Sequence, residues 1–375
     1  MGKPALIVSQ SGRLTPWLST LVGAQEYEPV STLVTERAEN GRYYFSPATV
    51  AQIDQRIHRM DEQLVVVDGV PHPGQLVDVR GRLQSTTVVD KRRVFWERLA
   101  AKNPVAATRM SLQEARLARR RAANEQRDAA TGGPSGTSGQ VADCDKRIQT
   151  LRDRLEQHQE AARRRVRTGH TAVDATVVLL GGVGAPTTAL WGELTGREAS
   201  TEIGRPARPA TAQTTVGPHT VAVTDTPGIP ASDGLPQWIT DVLPGLVTAL
   251  EQATCLLGVG ADHEAVLESV AESCGLPYRS LADADATVAR MALDDLLPSV
   301  TCAIRLPYSD DTQALVSDLH DRTVVHETEY SDALYVRLEA AQTAIDDLHR
   351  RVTAVDGELK RLETSSDGDV TNTLD

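Results

Sequence analysis

Residues 177–196 read VVLLGGVGAPTTALWGELTG: an apolar run, a glycine-rich turn, then an amphipathic segment. That order predicts a buried strand entering a helix through a tight loop, the building unit of a parallel α/β domain. It also matches the layout of a phosphate-binding loop, whose full pattern is G-x-x-x-x-G-K-[ST]. Gly181 holds the first glycine position and Thr188 the hydroxyl position, but Pro186 stands at the second glycine and Thr187 at the lysine. Proline has no N–H to offer and threonine has no charge. A charge-assisted hydrogen bond contributes about 1.5–3 kcal/mol, so losing the lysine alone weakens phosphate binding by roughly ten- to a hundredfold. The donors that remain for a nucleotide are the N–H groups around Gly181, Gly182, Gly184 and Ala185, with Thr188 placed to ligate Mg²⁺. The plain alternative is a strand–turn–helix corner that binds nothing.

About forty residues on, the apolar stretch 219–224 (HTVAVT) ends in Asp225-Thr226-Pro227-Gly228. A carboxylate at a strand end can order Mg²⁺ through water, and a glycine three residues later can present its N–H to a terminal phosphate. Taken alone, D-x-x-G is equally well explained as a turn. No N-K-x-D tetrapeptide, the usual selector of guanine, occurs anywhere in the chain. Residues 274–303 offer no clean strand to carry one, and Asp283 and Asp285 read as helix-start residues.

The chain has 375 residues, room for several cores, and a net charge of −12. It carries 34 arginines against 5 lysines. An acidic surplus with little lysine suits a salt-rich cytoplasm such as a haloarchaeal one, where screening removes self-repulsion; a GC-rich genome is the competing explanation. Four scattered cysteines form no C-x-x-C, so neither a disulfide framework nor a zinc site is expected. No run approaches a membrane span and no signal peptide is apparent, which predicts a cytoplasmic protein with no membrane partner. Against the acidic background, residues 105–170 hold thirteen arginines and one lysine to eight acids. Such a basic island points to a polyanion. Its clusters are Arg116, Arg119, Arg120 and Arg121, then Arg163, Arg164, Arg165 and Arg167, which an antiparallel hairpin is expected to bring near one another. A solvated charged coil is the competing reading.

The fold class expected is α/β, in four parts and a tail. Residues 1–104 alternate apolar runs (4–9, 64–67, 87–89) with amphipathic segments (50–60, 74–83), implying a small α/β domain with a largely parallel sheet. Residues 105–170 predict an antiparallel helical hairpin, bent at the glycine-rich stretch 131–139, with Val141, Ile148, Leu155 and Ala162 seven apart and Leu151 beside them. Residues 171–300 form the domain of the glycine-rich corner, with 204–215 read as aperiodic. Residues 301–362 predict a small α+β domain closed by one helix from 340 to about 362, and 363–375 an acidic disordered tail. His170 and His219 read as incidental, and the aromatic triplet Tyr43-Tyr44-Phe45 as a strand edge or core rather than a base-stacking platform.

The order of these parts resembles the HflX-like family of P-loop GTPases, Obg-related factors that bind the large ribosomal subunit. VVVDGVPHPGQLVDV and TTVVDKRRVFWERLA look like its N-terminal domain, and GGPSGTSGQVADCDKRIQTLRDRL like its hairpin tip and second coil helix, shortened. The stretch 177–196 aligns without a gap on the family's V-G-Y-T-N-A-G-K-S-T-L-F-N-x-L-T-G, agreeing at Gly181, Ala185, Leu190, Leu194, Thr195 and Gly196. ATAQTTV puts Thr211 on the switch threonine, and DTPGI puts Asp225 and Gly228 on D-T-V-G-F. The resemblance implies GTP and Mg²⁺ as ligands, with Thr188, Thr211 and Asp225 around the metal. It also implies ribosomal RNA, not DNA, as the partner of a monomeric chain whose arginines face that RNA. The departures at Pro186 and Thr187 imply a degenerate, weakened or vestigial site. An active GTPase that borrows its missing charge from a partner's arginine or K⁺, and a nucleotide-free interaction scaffold, are the two alternatives.

Overall fold

The computed structural model describes residues 3–362 apart from 26, 61–63, 84–85, 131–137, 171, 201–205, 231–233 and 261–262. The glycine-rich hairpin tip lies mostly, and the acidic tail wholly, outside the described residues. Among the described residues no helix is long and apolar enough to cross a membrane.

Four strands, β1 (Lys3–Ser9), β2 (Tyr27–Val34), β3 (Leu64–Val67) and β4 (Thr87–Asp90), form a parallel sheet in the order β2-β1-β3-β4. Central strands covered on both faces must be apolar throughout, which is why 64–67 is four buried residues in a row. Helices α1 (Pro16–Gly23) and α4 (Lys91–Ala100) cover one face; α2 (Pro47–Met60) and α3 (Pro73–Arg82) cover the other. The edge strand β2 was not foreseen, because only one of its eight residues is fully buried and it contains Pro29, tolerated at a sheet edge.

The hairpin is α5 (Pro104–Ala130) and α6 (Ser138–Gly169). Ile148, Leu151 and Leu155 are buried, as the heptad spacing requires. Asn103 starts α5: its Oδ1 accepts from the N–H of Val105 and Ala106, while its amide donates to the carbonyl of Ala207 in the next domain.

The third unit is a five-stranded sheet of β5 (Ala175–Gly181), β6 (Ala210–Val216), β7 (His219–Asp225), β8 (Cys255–Val259) and β9 (Tyr278–Leu281), in the order β6-β7-β5-β8-β9. Only β6 runs antiparallel, joined to β7 by the two-residue turn Gly217-Pro218 with Gly217 at φ 52°. Two expectations are corrected here. Residues 210–216 are a strand rather than an aperiodic loop, their polar residues facing out from a sheet edge. Tyr278–Leu281 is a strand where none was seen, and it is too short and too exposed for periodicity to reveal. Asp285 is the expected helix start: its carboxylate accepts from the N–H of Thr287 and Val288 and caps α11 (Ala286–Leu296). Helices α7 (Thr187–Thr195) and α11 pack on one face of this sheet. On the other, α8 (Gln237–Thr240), α9 (Pro244–Glu251) and α10 (Glu264–Cys274) share a core with the hairpin and the N-terminal domain.

The last unit is β10 (Ser299–Leu306), α12 (Asp310–Arg322), β11 (Val324–Tyr330), β12 (Leu334–Ala341), α13 (Ile345–Thr353) and β13 (Glu358–Arg361), a βαββαβ sequence with sheet order β11-β12-β10-β13. All its pairings are antiparallel, which makes it a ferredoxin-like domain with its own core. The single terminal helix expected over 340–362 is corrected to one short helix and a strand. Helix α13 stops because Gly357 lies against the Leu306 side chain and the Arg305 carbonyl, at 2.6 and 3.0 Å from where a Cβ would stand, and that approach turns the chain back along β10.

Candidate functional site: a closed glycine-rich corner

Strand β5 delivers Gly181 to the C-terminal edge of the sheet, between β7 and β8. This is where a nucleotide sits in a loop of this layout. Here the turn closes on itself. Ala185 donates its N–H to the Gly182 carbonyl at 3.0 Å, and Gly184 supplies the positive φ of 90° that the turn requires. Ala185, expected to donate to phosphate, therefore has its N–H engaged within the loop.

The loop after β7 seals the corner from the other side. Ile229 donates its N–H to the Gly181 carbonyl at 2.9 Å, and Gly182 and Ile229 form a parallel bridge. Gly228 lies so close that a Cβ there would stand 2.6 Å from the Gly182 carbonyl oxygen and 3.1 Å from the Val183 Cα. The His263 ring covers Gly182, its nearest atoms 2.5 Å from the position a Cβ would take. The backbone of the Gly228 segment thus lies directly against the loop.

Asp225, Thr187 and Thr188 are brought together and buried. Burial pushes the Asp225 carboxyl up to about 6, and the hydroxyls of Thr188 and Thr187 with the Thr226 N–H oppose that rise. Its Oδ1 has no hydrogen-bond partner among the described residues. Thr226 is turned inward, its hydroxyl donating to the Leu179 carbonyl at 2.7 Å. With threonine at the lysine position, the corner sets neutral hydroxyls against a carboxyl where the full pattern would place a positive charge. An unpartnered carboxylate oxygen is a group Mg²⁺ could use, but the loop beside it lacks the lysine of a triphosphate cradle and, at Pro186, one of its N–H groups. The residues present do not fit Mg²⁺–GTP in this arrangement.

Thr211 does not join them. It faces the opposite side of the sheet, where its hydroxyl meets that of Thr224 at 3.0 Å, and Thr224 in turn meets His170 Nε2 at 3.1 Å. Side chains alternate along a strand, so Thr224 and Asp225 point to opposite faces. His170, expected to be incidental, instead ties the end of α6 to this sheet, its other nitrogen 3.2 Å from Gln252 Oε1.

The basic clusters are placed differently from expectation. Arg119 pairs with Asp145, which marks the register of the hairpin. Arg116 to Arg121 therefore lie opposite the first half of α6, and Arg163 to Arg167 lie about 30 Å farther along that helix at 1.5 Å per residue. They are two separate patches. Arg163 and Arg167 both approach Glu160, at 3.7 and 3.6 Å, whereas Arg164 and Arg165 are exposed. On the first patch Arg121 is exposed, Arg120 leans over Gly74, and Arg116 is held below the usual arginine range by burial and by the neighbouring charges of Arg152, Arg109 and Arg92. Carboxylates neutralise part of each patch, Asp145 in the first and Glu160 in the second, and leave the exposed Arg121, Arg164 and Arg165 outside those pairs.

Two features that sequence reasoning missed link the corner to the rest of the molecule. Trp238, on α8 just beyond the Asp225 loop, packs against Trp17 and Phe95 of the N-terminal domain with ring centroids 6.5 and 5.8 Å apart. Asp241 pairs with Arg109 of the hairpin at 3.0 Å, and its carbonyl accepts from Gln159.

No family model matches the chain, and no curated protein does. Among solved structures, the SsGBP–GDP complex is similar at 17% identity and a TM-score of 0.42, covering 75% of this chain and 82% of that one. A GTP-binding protein from the hyperthermophilic archaeon Sulfolobus solfataricus, in complex with GDP, gives 17% and 0.38 over 75% and 81%. ZnuA gives 10% and 0.19 over 78% and 99%. Scores at this level add nothing to the fold established above from the chain's own topology.

Proposed function

We propose that the chain is an HflX-like protein that has kept the architecture of a GTP-binding factor, holds at most a vestigial nucleotide site, and acts by binding the large ribosomal subunit through its RNA. The observation that carries the first half is the closed corner: Ile229 on Gly181, Ala185 on Gly182, and Gly228 against the loop. The second half is supported by the two arginine patches on a rigid hairpin of an otherwise acidic chain. GTP and Mg²⁺ are then dispensable, and no hydrolytic step is assigned to the corner.

Co-sedimentation with ribosomes, with and without GTP, tests this reading. The protein is expected to travel with the large subunit equally in both. Replacing Arg121, Arg164 and Arg165 by Gln removes up to three phosphate contacts, and should flatten the slope of log K against log salt by roughly 2–3. Absence from every ribosomal fraction would remove the RNA reading and leave the interaction scaffold. Association that requires GTP would reinstate an active switch.

A further inference from the structure

The ferredoxin-like domain carries a feature independent of the corner. Strand β11 is an edge, paired with β12 on one side only. Beside it opens a cavity of about 480 Å³ whose lining includes Tyr308, Asp310, Gln313, Val316, Tyr330 and Leu334. Tyr308 and Tyr330 are 58% and 69% exposed, although Tyr308 is pinned by its hydroxyl to the carbonyls of Ser331 and Ala333. Two large exposed rings on one groove next to an open strand edge are a combination that edge-protecting devices normally prevent.

The register shows what the edge would accept. Thr328 and Tyr330 stand opposite Val336 and Leu334, buried residues of the core, so these positions lie on the helix-covered side where the cavity is. Glu327 and Glu329 stand opposite Arg337 and Tyr335, on the other side of the sheet. Both glutamates are exposed, and among the described residues neither makes an ion pair, Arg337 included. A strand added to β11 therefore meets a tyrosine-lined groove with one set of alternate side chains and two free carboxylates with the other. A second copy of β11 does not suit this edge. Antiparallel self-pairing centred on Glu327 or Thr328 sets glutamate against glutamate, which is destabilising.

We propose that the β11 edge binds an extended protein segment of alternating character, apolar or aromatic residues entering the Tyr308–Tyr330 groove and Arg or Lys facing Glu327 and Glu329. The mode is strand addition, with main-chain hydrogen bonds giving affinity and the alternation giving specificity.

Fluorescence anisotropy of a labelled (Arg-Val)₄ peptide with the full chain tests it, against (Glu-Val)₄ and a block peptide, Arg₄Val₄, of identical composition. The alternating peptide is expected to bind at least tenfold more tightly than either control. Glu327→Lys with Glu329→Lys should cost tenfold or more, and Tyr330→Ala should cost several-fold. Asp346→Lys on α13, which changes the charge by half as much, should leave binding unaltered. The milder pair Glu327→Gln and Glu329→Gln guards against a variant that fails to fold, and should lose part of the affinity. Equal binding of the block peptide, or an equal loss from Asp346→Lys, would mean general attraction to an acidic surface and overturn the proposal. No saturable binding of the alternating peptide would overturn it as well.

Discussion

Asp225→Asn is expected to stabilise the protein at pH 7 by about 3 kcal/mol and to change it little at pH 4. The carboxyl is buried and its pKa is raised from 3.8 to about 6, burial being the largest cause. Between those values the folded chain holds a proton that the unfolded chain has released. Stability is therefore lost as pH rises through that window, and the whole deficit is present above about pH 6. The amide is neutral at every pH and removes the penalty, keeping an acceptor for the Thr187 and Thr188 hydroxyls. Urea unfolding at the two pH values measures the effect. Destabilisation at pH 7, or an equal change at both, would show that the carboxylate is stabilised where it lies, as a metal-ordering group would be.

Asp90→Ala should be the costliest single truncation in the N-terminal half, about 3–5 kcal/mol, because it strips a buried charge partner and leaves donors unpaired. Asp90 is fully buried at the end of β4. It accepts from Arg92, from the Arg93 N–H at 2.9 Å as the cap of α4, and from Gln113 Nε2 of α5 at 3.0 Å. One carboxylate therefore joins the sheet, its next helix and the hairpin. Asp90→Asn, which keeps the cap and loses the charge, should cost about half as much. Thermal unfolding followed by circular dichroism reads both. A change under ~0.5 kcal/mol for the alanine variant, the range of an ordinary surface site, would contradict the assigned role.

Much of this architecture was legible from local pattern, and the exceptions have physical reasons. Strands β1, β3, β5, β7 and β8 announce themselves because burial on both faces demands unbroken apolar runs. The seven-residue spacing of Ile148 and Leu155 marked the hairpin, and the carboxylate of Asp285 marked a helix start. Strands β2, β6 and β9 stand at sheet edges, where one face needs no apolar residue and the period-2 signal fades. The corner itself was half legible. Pro186 and Thr187 announce the missing N–H and charge, but nothing local says that Gly228 would press against Gly182. That contact joins residues 46 apart along the chain and depends on the strand order. The separation of the arginine patches was hidden for a similar reason, since it depends on the hairpin register, which the pairing of Arg119 with Asp145 reports.

Calorimetric titration of the full chain with GTP in the presence of Mg²⁺ measures the central claim directly. A corner whose Ala185 N–H bonds to the loop's own Gly182 carbonyl, and whose lysine position is a threonine facing Asp225, should show no saturable heat up to about 1 mM nucleotide, a binding free energy weaker than ~4 kcal/mol. Micromolar binding that disappears on removing Mg²⁺ would contradict it, since the loop and the Gly228 segment would then have to part to admit a triphosphate.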